Sequence, residues 1–268
     1  MQFVYFTKTL QGLGLADVIR FVQQAGLQGA DLTVRPGYPV TPENAEAELP
    51  KAVRQFREAG LSVPLVTAPT NLTDPHSADA RRLFAACGKA GVGFIKIGYF
   101  PFRGQWESAL AEARKALEGF AKLAEQTGVR ACYHTHSGNY LGNNAASLRW
   151  LLADFDPHHI GAFLDTGHLA INGGPFRYEL ALARPWFCLL AIKDMLWRKE
   201  EKRGWQVEVV PAGQGIVRWN EVAAGLNDLR YNGVVSLHAE YESAAGLERL
   251  HLARQELAFL KRVFALPE

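Results

Sequence analysis

Short apolar, β-branched segments alternate with longer amphipathic ones along the whole chain, and they do so eight times. A strand followed by a helix, repeated in this way, builds a parallel sheet, because each helix must return the chain to the same end of the sheet. The strand segments are FVY from Phe3, GADLTV from Gly29, SVPLVT from Ser62, GFIKI from Gly93, VRACYH from Val129, IGAFL from Ile160, CLLAIK from Cys188 and GVVSLH from Gly233. The helical stretches cover 16–25, 43–59, 78–90, 106–127, 145–152, 177–183, 219–228 and 247–263, with glycines at 26, 60 and 128 where C-terminal caps belong. Eight evenly spaced units suit a sheet closed into a (β/α)8 barrel, and 268 residues is a usual size for one. An open doubly wound sheet is the rival, but its glycine-rich first turn is missing; QGLG at Gln11 is too weak a match. The sequence therefore predicts one α/β domain, a TIM barrel over 1–268, with its longest irregular segments at 35–41, 67–76, 98–105 and 194–218.

Composition narrows the partners. The 29 basic and 27 acidic residues leave a net charge of +2 and are interspersed rather than gathered, which argues against nucleic acid as a partner. No run of about 18 apolar residues and no signal-type N-terminus is visible, so no membrane is expected. Cys87, Cys132 and Cys188 lack metal-type spacing, and an odd set argues against a disulfide framework. A cytoplasmic location is the expectation. A small carbohydrate is the expected partner, and assembly into a homo-oligomer is left open.

Polar residues recur at the C-terminal ends of the strands: Asp31 and Arg35, Lys96, His134 and His136, Asp165 and His168, Lys193 and Asp194, His238 and Glu240. Barrel closure brings those ends to one mouth, where barrels carry their chemistry. Residues two apart on a strand share a face, so His134 with His136, and His238 with Glu240, are expected to point the same way. By the same parity Lys193 shares the inward face with Ala191, and Glu240 is preferred over Glu242.

FLDTGH, containing Asp165 and His168, resembles the Asp-x-x-His motif after strand six of xylose-isomerase-like sugar isomerases and epimerases. NLTDP at Asn71, IKIGYF at Ile95, YHTHSG at Tyr133, AIKD at Ala191, AGQGIVRW at Ala212 and YNGVVSLHAEYE at Tyr231 extend the likeness over nearly the whole chain. DLTVRPG at Asp31 resembles a subgroup of sugar phosphate isomerases within that superfamily. The resemblance implies a metal held by Glu, Asp, His and Glu at the ends of strands five to eight. Here those positions carry His134, Asp165, Ala191 and His238. His can replace a carboxylate as ligand, whereas Ala supplies no donor. A divalent metal (Mn, Zn or Mg) on His134, Asp165 and His238 is one reading; the other places the Lys193 ammonium near the position that lacks a ligand, doing the metal's electrostatic work.

The resemblance implies an isomerase or epimerase of a sugar or sugar phosphate, moving a proton alpha to a carbonyl through an enediolate. Glu240 is then the expected base, Lys193 or a metal the oxyanion stabiliser and His168 the group orienting a hydroxyl. Arg35, His136, Asp194 and Lys96 are the expected substrate contacts. An inosose-dehydratase-like lyase shares the first proton abstraction, and a carbohydrate-binding barrel without turnover is the non-enzyme alternative. A repair endonuclease would need a richer metal cluster and a basic face. Plainer readings stand beside these. Asp165 with His168 could be a structural pair, His134 with His136 ordinary strand ends, Lys193 with Asp194 a solvated ion pair and Arg35 a surface charge. Tyr99, Phe100, Phe102 and Trp197 could stack on a sugar ring or simply pack.

Overall fold

In the computed structural model, which describes residues 1–241 and 245–265, eight parallel strands close on one another. The strands are β1 (Gln2–Phe6), β2 (Gly29–Thr33), β3 (Ser62–Thr67), β4 (Phe94–Lys96), β5 (Arg130–His134), β6 (Ile160–Asp165), β7 (Phe187–Ile192) and β10 (Val234–Leu237). Each pairs with its neighbour in sequence around the ring, and β10 returns to β1, with Gln2 opposite Val234 and Tyr5 opposite Leu237. The helices α1 (Leu15–Gln24), α2 (Ala45–Glu58), α3 (Ala78–Ala90), α4 (Trp106–Thr127), α5 (Ala145–Leu152), α7 (Phe176–Ala183), α8 (Trp219–Asp228) and α9 (Gly246–Val263) match the periodic stretches to within two residues at either end. The predicted barrel is thus present.

Two elements appear where irregular chain is expected. Asp194 begins an antiparallel hairpin, β8 (Asp194–Glu200) with β9 (Gly204–Val210), outside the barrel. Met195 pairs with Val209 and Trp197 with Val207, so the odd positions of both strands share one face. A short helix, α6 (Thr166–Ile171), directly follows β6.

The apolar interior has two compartments. One lies between strands and helices; the other is a plug inside the barrel made of Val4, Leu65, Cys132, Phe163, Leu189, Ala191 and Val234. Two residues further along five of the strands the inward position becomes polar: Leu65 gives way to Thr67, Cys132 to His134, Phe163 to Asp165, Ala191 to Lys193 and Val234 to Ser236, while in β1 Val4 is followed by Phe6. Because the side-chain period of a strand is two, an apolar floor and a polar mouth are written into the same strands. The three cysteines are free thiols. Among the described residues no helix is long and apolar enough to cross a membrane.

Candidate functional site

A cavity of about 80 Å³ opens at the C-terminal ends of the strands. Of the sequence candidates, Arg35, Lys96, His134 and His136 line it, and so do Lys193, His238 and Glu240. Asp165 and His168 lie just beneath, packed against those residues. Sequence reasoning missed Lys8, Phe6, Thr67 and Thr70, which also face the cavity. Lys8 sits in the helical turn Thr7–Leu10 after β1, past the reach of strand parity, so no local pattern announced it.

The segment DTGH positions several of these groups at once. The Asp165 carboxylate accepts from the His168 backbone N–H (3.0 Å) as the cap of α6. Thr166 donates its hydroxyl to the Lys193 carbonyl (2.7 Å) and accepts from the Lys193 N–H (3.1 Å), fixing β6 against the end of β7. Gly167 allows the close approach, since a Cβ there would sit 2.9 Å from the Lys193 carbonyl oxygen. The His168 ring is held through Nδ1 by Ser137 Oγ at 2.8 Å.

Lys193 is the centre of charge. Only 5% exposed, its ammonium donates to Glu240 Oε2 at 2.6 Å and lies 3.3 Å from His168 Nε2 and 3.8 Å from Asp165 Oδ2. Burial would drive the proton off, but Asp165 and Glu240 overcome it and raise its pKa. Burial likewise pushes Glu240 upward, but Lys193, His238 and Lys8 bring its carboxyl well below the ordinary range. Glu240 is therefore a firmly anionic group clamped by Lys193 and Lys8. Glu242 lies outside the described residues.

His134, Asp165 and His238 each offer one donor atom within 4.8 Å of the others. His134 Nε2 is 3.3 Å from Asp165 Oδ2, yet among the described residues neither atom has a hydrogen-bond partner, and His238 Nε2 is also unpartnered. Burial pushes His134 down to about 3, leaving a neutral imidazole, the form that binds metals. Its Nδ1 meets the Tyr99 hydroxyl at 3.0 Å, an outer contact that orients a metal-binding ring. Orphaned, buried donor atoms with two imidazoles and one carboxylate fit a divalent cation. Ala191 is buried in the plug and adds no donor; Lys193 stands above it on the same face, as parity predicts.

Two residues behave differently from expectation. Asp194 takes no part in the cavity. Its Oδ1 accepts from the N–H groups of Met195 (2.9 Å) and Val217 (3.1 Å), and its Oδ2 accepts from Gly213 (2.9 Å), Gly215 (3.1 Å) and the Trp219 indole (3.0 Å). Fully buried, it ties the hairpin and the 211–218 loop to α8; it does not line the cavity, where a substrate contact was expected, and it is not a solvated pair with Lys193. Asp31 lies under the cavity, accepting from Thr67 Oγ1 (2.6 Å) and Ser236 Oγ (2.9 Å).

Lys96 stands apart from every other cation in the site. It is 3% exposed, its Nζ lies 3.5 Å from the centre of the Tyr99 ring, and it has no hydrogen bond among the described residues. Burial, joined by the charge of Arg35, pushes its pKa well below the ordinary lysine range. Arg35 donates its Nε to the Ala68 carbonyl (3.2 Å), which orients the guanidinium. Of the aromatic candidates, Tyr99 faces the cavity, Phe100 stacks on Tyr133 and Phe102 packs on Trp106, while Trp197 is exposed on the hairpin.

Comparison with known proteins agrees with this architecture. The chain is 30% identical over 91 residues to inosose dehydratase of Lactiplantibacillus plantarum, a match covering 34% of this chain and 30% of that relative. The chain thus spans about a third of the length of that curated relative. Among solved structures, D-psicose 3-epimerase from Clostridium cellulolyticum H10 superposes with a TM-score of 0.75 at 17% identity, over 98% of this chain and 99% of that one. A 3-keto-D-glucoside 4-epimerase from E. coli gives a TM-score of 0.76 at 14% identity, over 98% and 99%. At such identities the likeness speaks to the fold. The family model described as xylose isomerase-like TIM barrel matches residues 19–263, and the chain belongs to that family.

Proposed function

We propose that this barrel is an isomerase or epimerase of a small polyhydroxylated carbonyl compound, working by proton transfer alpha to the carbonyl. The observation that carries the reading is the buried Lys193 ammonium, held charged beside the Glu240 carboxylate at the cavity wall. Lys193 is the group that stabilises the developing enediolate oxygen, a fixed positive charge in a water-poor site. Glu240 is the base. Clamped by two lysines it is weakly basic, but a substrate oxygen that takes over the Lys193 N–H groups loosens the clamp and returns basicity to the carboxylate where the proton is removed. Neutral His136, its pKa lowered mainly by burial, and His168 orient hydroxyl groups.

His134, Asp165 and His238 are the residues that would hold a divalent metal, with manganese or zinc suited to this donor set better than magnesium. Bound there, such a cation supplies Lewis-acid polarisation of a substrate oxygen.

Epimerases among the structural neighbours support an isomerase, and the inosose dehydratase relative supports a lyase that begins with the same proton abstraction. The test is incubation with a panel of ketoses in deuterated water, followed by mass analysis. Deuterium gained at the carbon alpha to the carbonyl with the carbon skeleton intact is the expected result. Loss of water from the product would assign the lyase, and no incorporation across the panel at high enzyme concentration would sink both.

A further inference from the structure

We infer that Lys96 and Arg35 form an oxyanion subsite, so that the substrate carries a carboxylate or phosphate group; the inference rests on the proposed function in taking the cavity as the substrate site. Four basic side chains face the cavity, Lys8, Arg35, Lys96 and Lys193, against a single lining carboxylate among the described residues, Glu240. That carboxylate is consumed by Lys193 and Lys8. The other anions nearby are committed as well: Asp31 to the hydroxyls of Thr67 and Ser236, and Asp165 to the α6 cap and the histidine pair. Lys96 and Arg35 are left without a counter-charge among the described residues.

A buried amine with no acceptor is costly unless a ligand completes it. The Tyr99 ring covers one flank of the Lys96 Nζ but accepts no ordinary hydrogen bond. Arg35 is anchored through Nε alone, so its terminal nitrogens are not hydrogen-bonded to any described residue. A guanidinium with two spare nitrogens beside a lysine amine whose protonated form an incoming anion favours is the donor set that recognises a planar or tetrahedral oxyanion. Arg35 follows β2 and Lys96 ends β4, whereas Lys193 follows β7 and Glu240 follows β10, so the two pairs come from different arcs of the ring around one cavity. The small cavity suits a compact sugar acid or sugar phosphate.

The test is calorimetric titration of the full-length protein with D-glycerate, inorganic phosphate and glycerol, the last a neutral triol of similar size. Glycerate or phosphate should bind at least tenfold more tightly than glycerol, and whichever anion binds better identifies the carboxylate or the phosphate as the natural group. Lys96→Met should weaken the preferred anion about tenfold to a hundredfold and leave glycerol unchanged. Arg35→Met, at a half-buried position, should do the same and carries the test if Lys96→Met does not fold. Equal affinity for anions and glycerol, or folded variants that bind as the wild type does, would overturn the subsite. Binding does not require turnover, so anion affinity without deuterium exchange would count against the isomerase reading alone, and exchange with neutral ketoses without anion affinity against the subsite alone.

Discussion

Replacing Asp194 by Asn separates an architectural carboxylate from a substrate contact. Both oxygens are buried acceptors, Oδ1 for two N–H groups and Oδ2 for three, the Trp219 indole among them. An amide keeps only one oxygen. If its nitrogen takes the place of Oδ1, it confronts the Met195 and Val217 donors; if it takes the place of Oδ2, it confronts those of Gly213, Gly215 and Trp219. At least two buried donors lose their acceptor, each worth about 1–3 kcal/mol, so a loss of about 2–6 kcal/mol is expected from a total that for most domains is about 5–15 kcal/mol. The loop has no slack to adapt, because a Cβ at Gly215 would lie 2.2 Å from Asp194 Oδ1. Urea unfolding followed by tryptophan fluorescence is the assay, and Trp219 itself reports. A variant with the wild-type midpoint and a raised KM would refute this reasoning and return Asp194 to the substrate.

Lys193→Met should lower kcat by about a hundredfold to a thousandfold in the exchange assay; retention of more than a tenth of the wild-type rate would remove it from oxyanion stabilisation. Equilibrium dialysis against manganese or zinc should show His134→Ala losing at least tenfold in affinity, since it deletes one of three donors; wild-type uptake by the variant would move the cation elsewhere. Glu256 accepts from the Ala212 N–H, and burial raises its pKa from 4.5 to about 7. Folding therefore favours its protonated form: the cost is absent below pH 4.5, grows as pH rises towards 7 and is then complete, at about 3 kcal/mol. Glu256→Gln should accordingly gain stability over wild type at pH 8 but not at pH 4, and a pH-independent difference in urea midpoints would contradict that. Gly167→Ala should cost about 1–3 kcal/mol by overpacking and slow turnover by pushing α6 off the Lys193 carbonyl; unchanged melting and kinetics would show that the contact yields freely.

The barrel was legible because its two periodicities are strong: apolar strands of three to six residues and amphipathic helices, several with glycine caps, recur too regularly for another architecture. The polar mouth was legible from strand parity, which placed Lys193 over Ala191 and paired His238 with Glu240. Parity also contained the answer for Asp194, one residue past an inward Lys193 and hence outward, but its five donors come from positions 195–219, whose pairing no local pattern announces. The hairpin was hidden in the same way. Its alternation at Met195, Trp197, Val207 and Val209 is short and broken by the charged residues 198–203. Glu240 was readable as a charge in the mouth, whereas its clamping by Lys8 joins residues 232 positions apart. Distances of that kind are set by closure of the ring and appear in no window of sequence.

The two-residue step from plug to mouth has an evolutionary consequence. Substitutions at the upper step exchange one reagent for another, imidazole for carboxylate or ammonium for imidazole, while the hydrocarbon beneath keeps the strands in register. Reactivity and durability are thereby inherited separately. Shape of this kind persists in proteins that share only 14–17% of their residues with this one, so the rim of such a chassis is open to being redrawn without the frame being rebuilt.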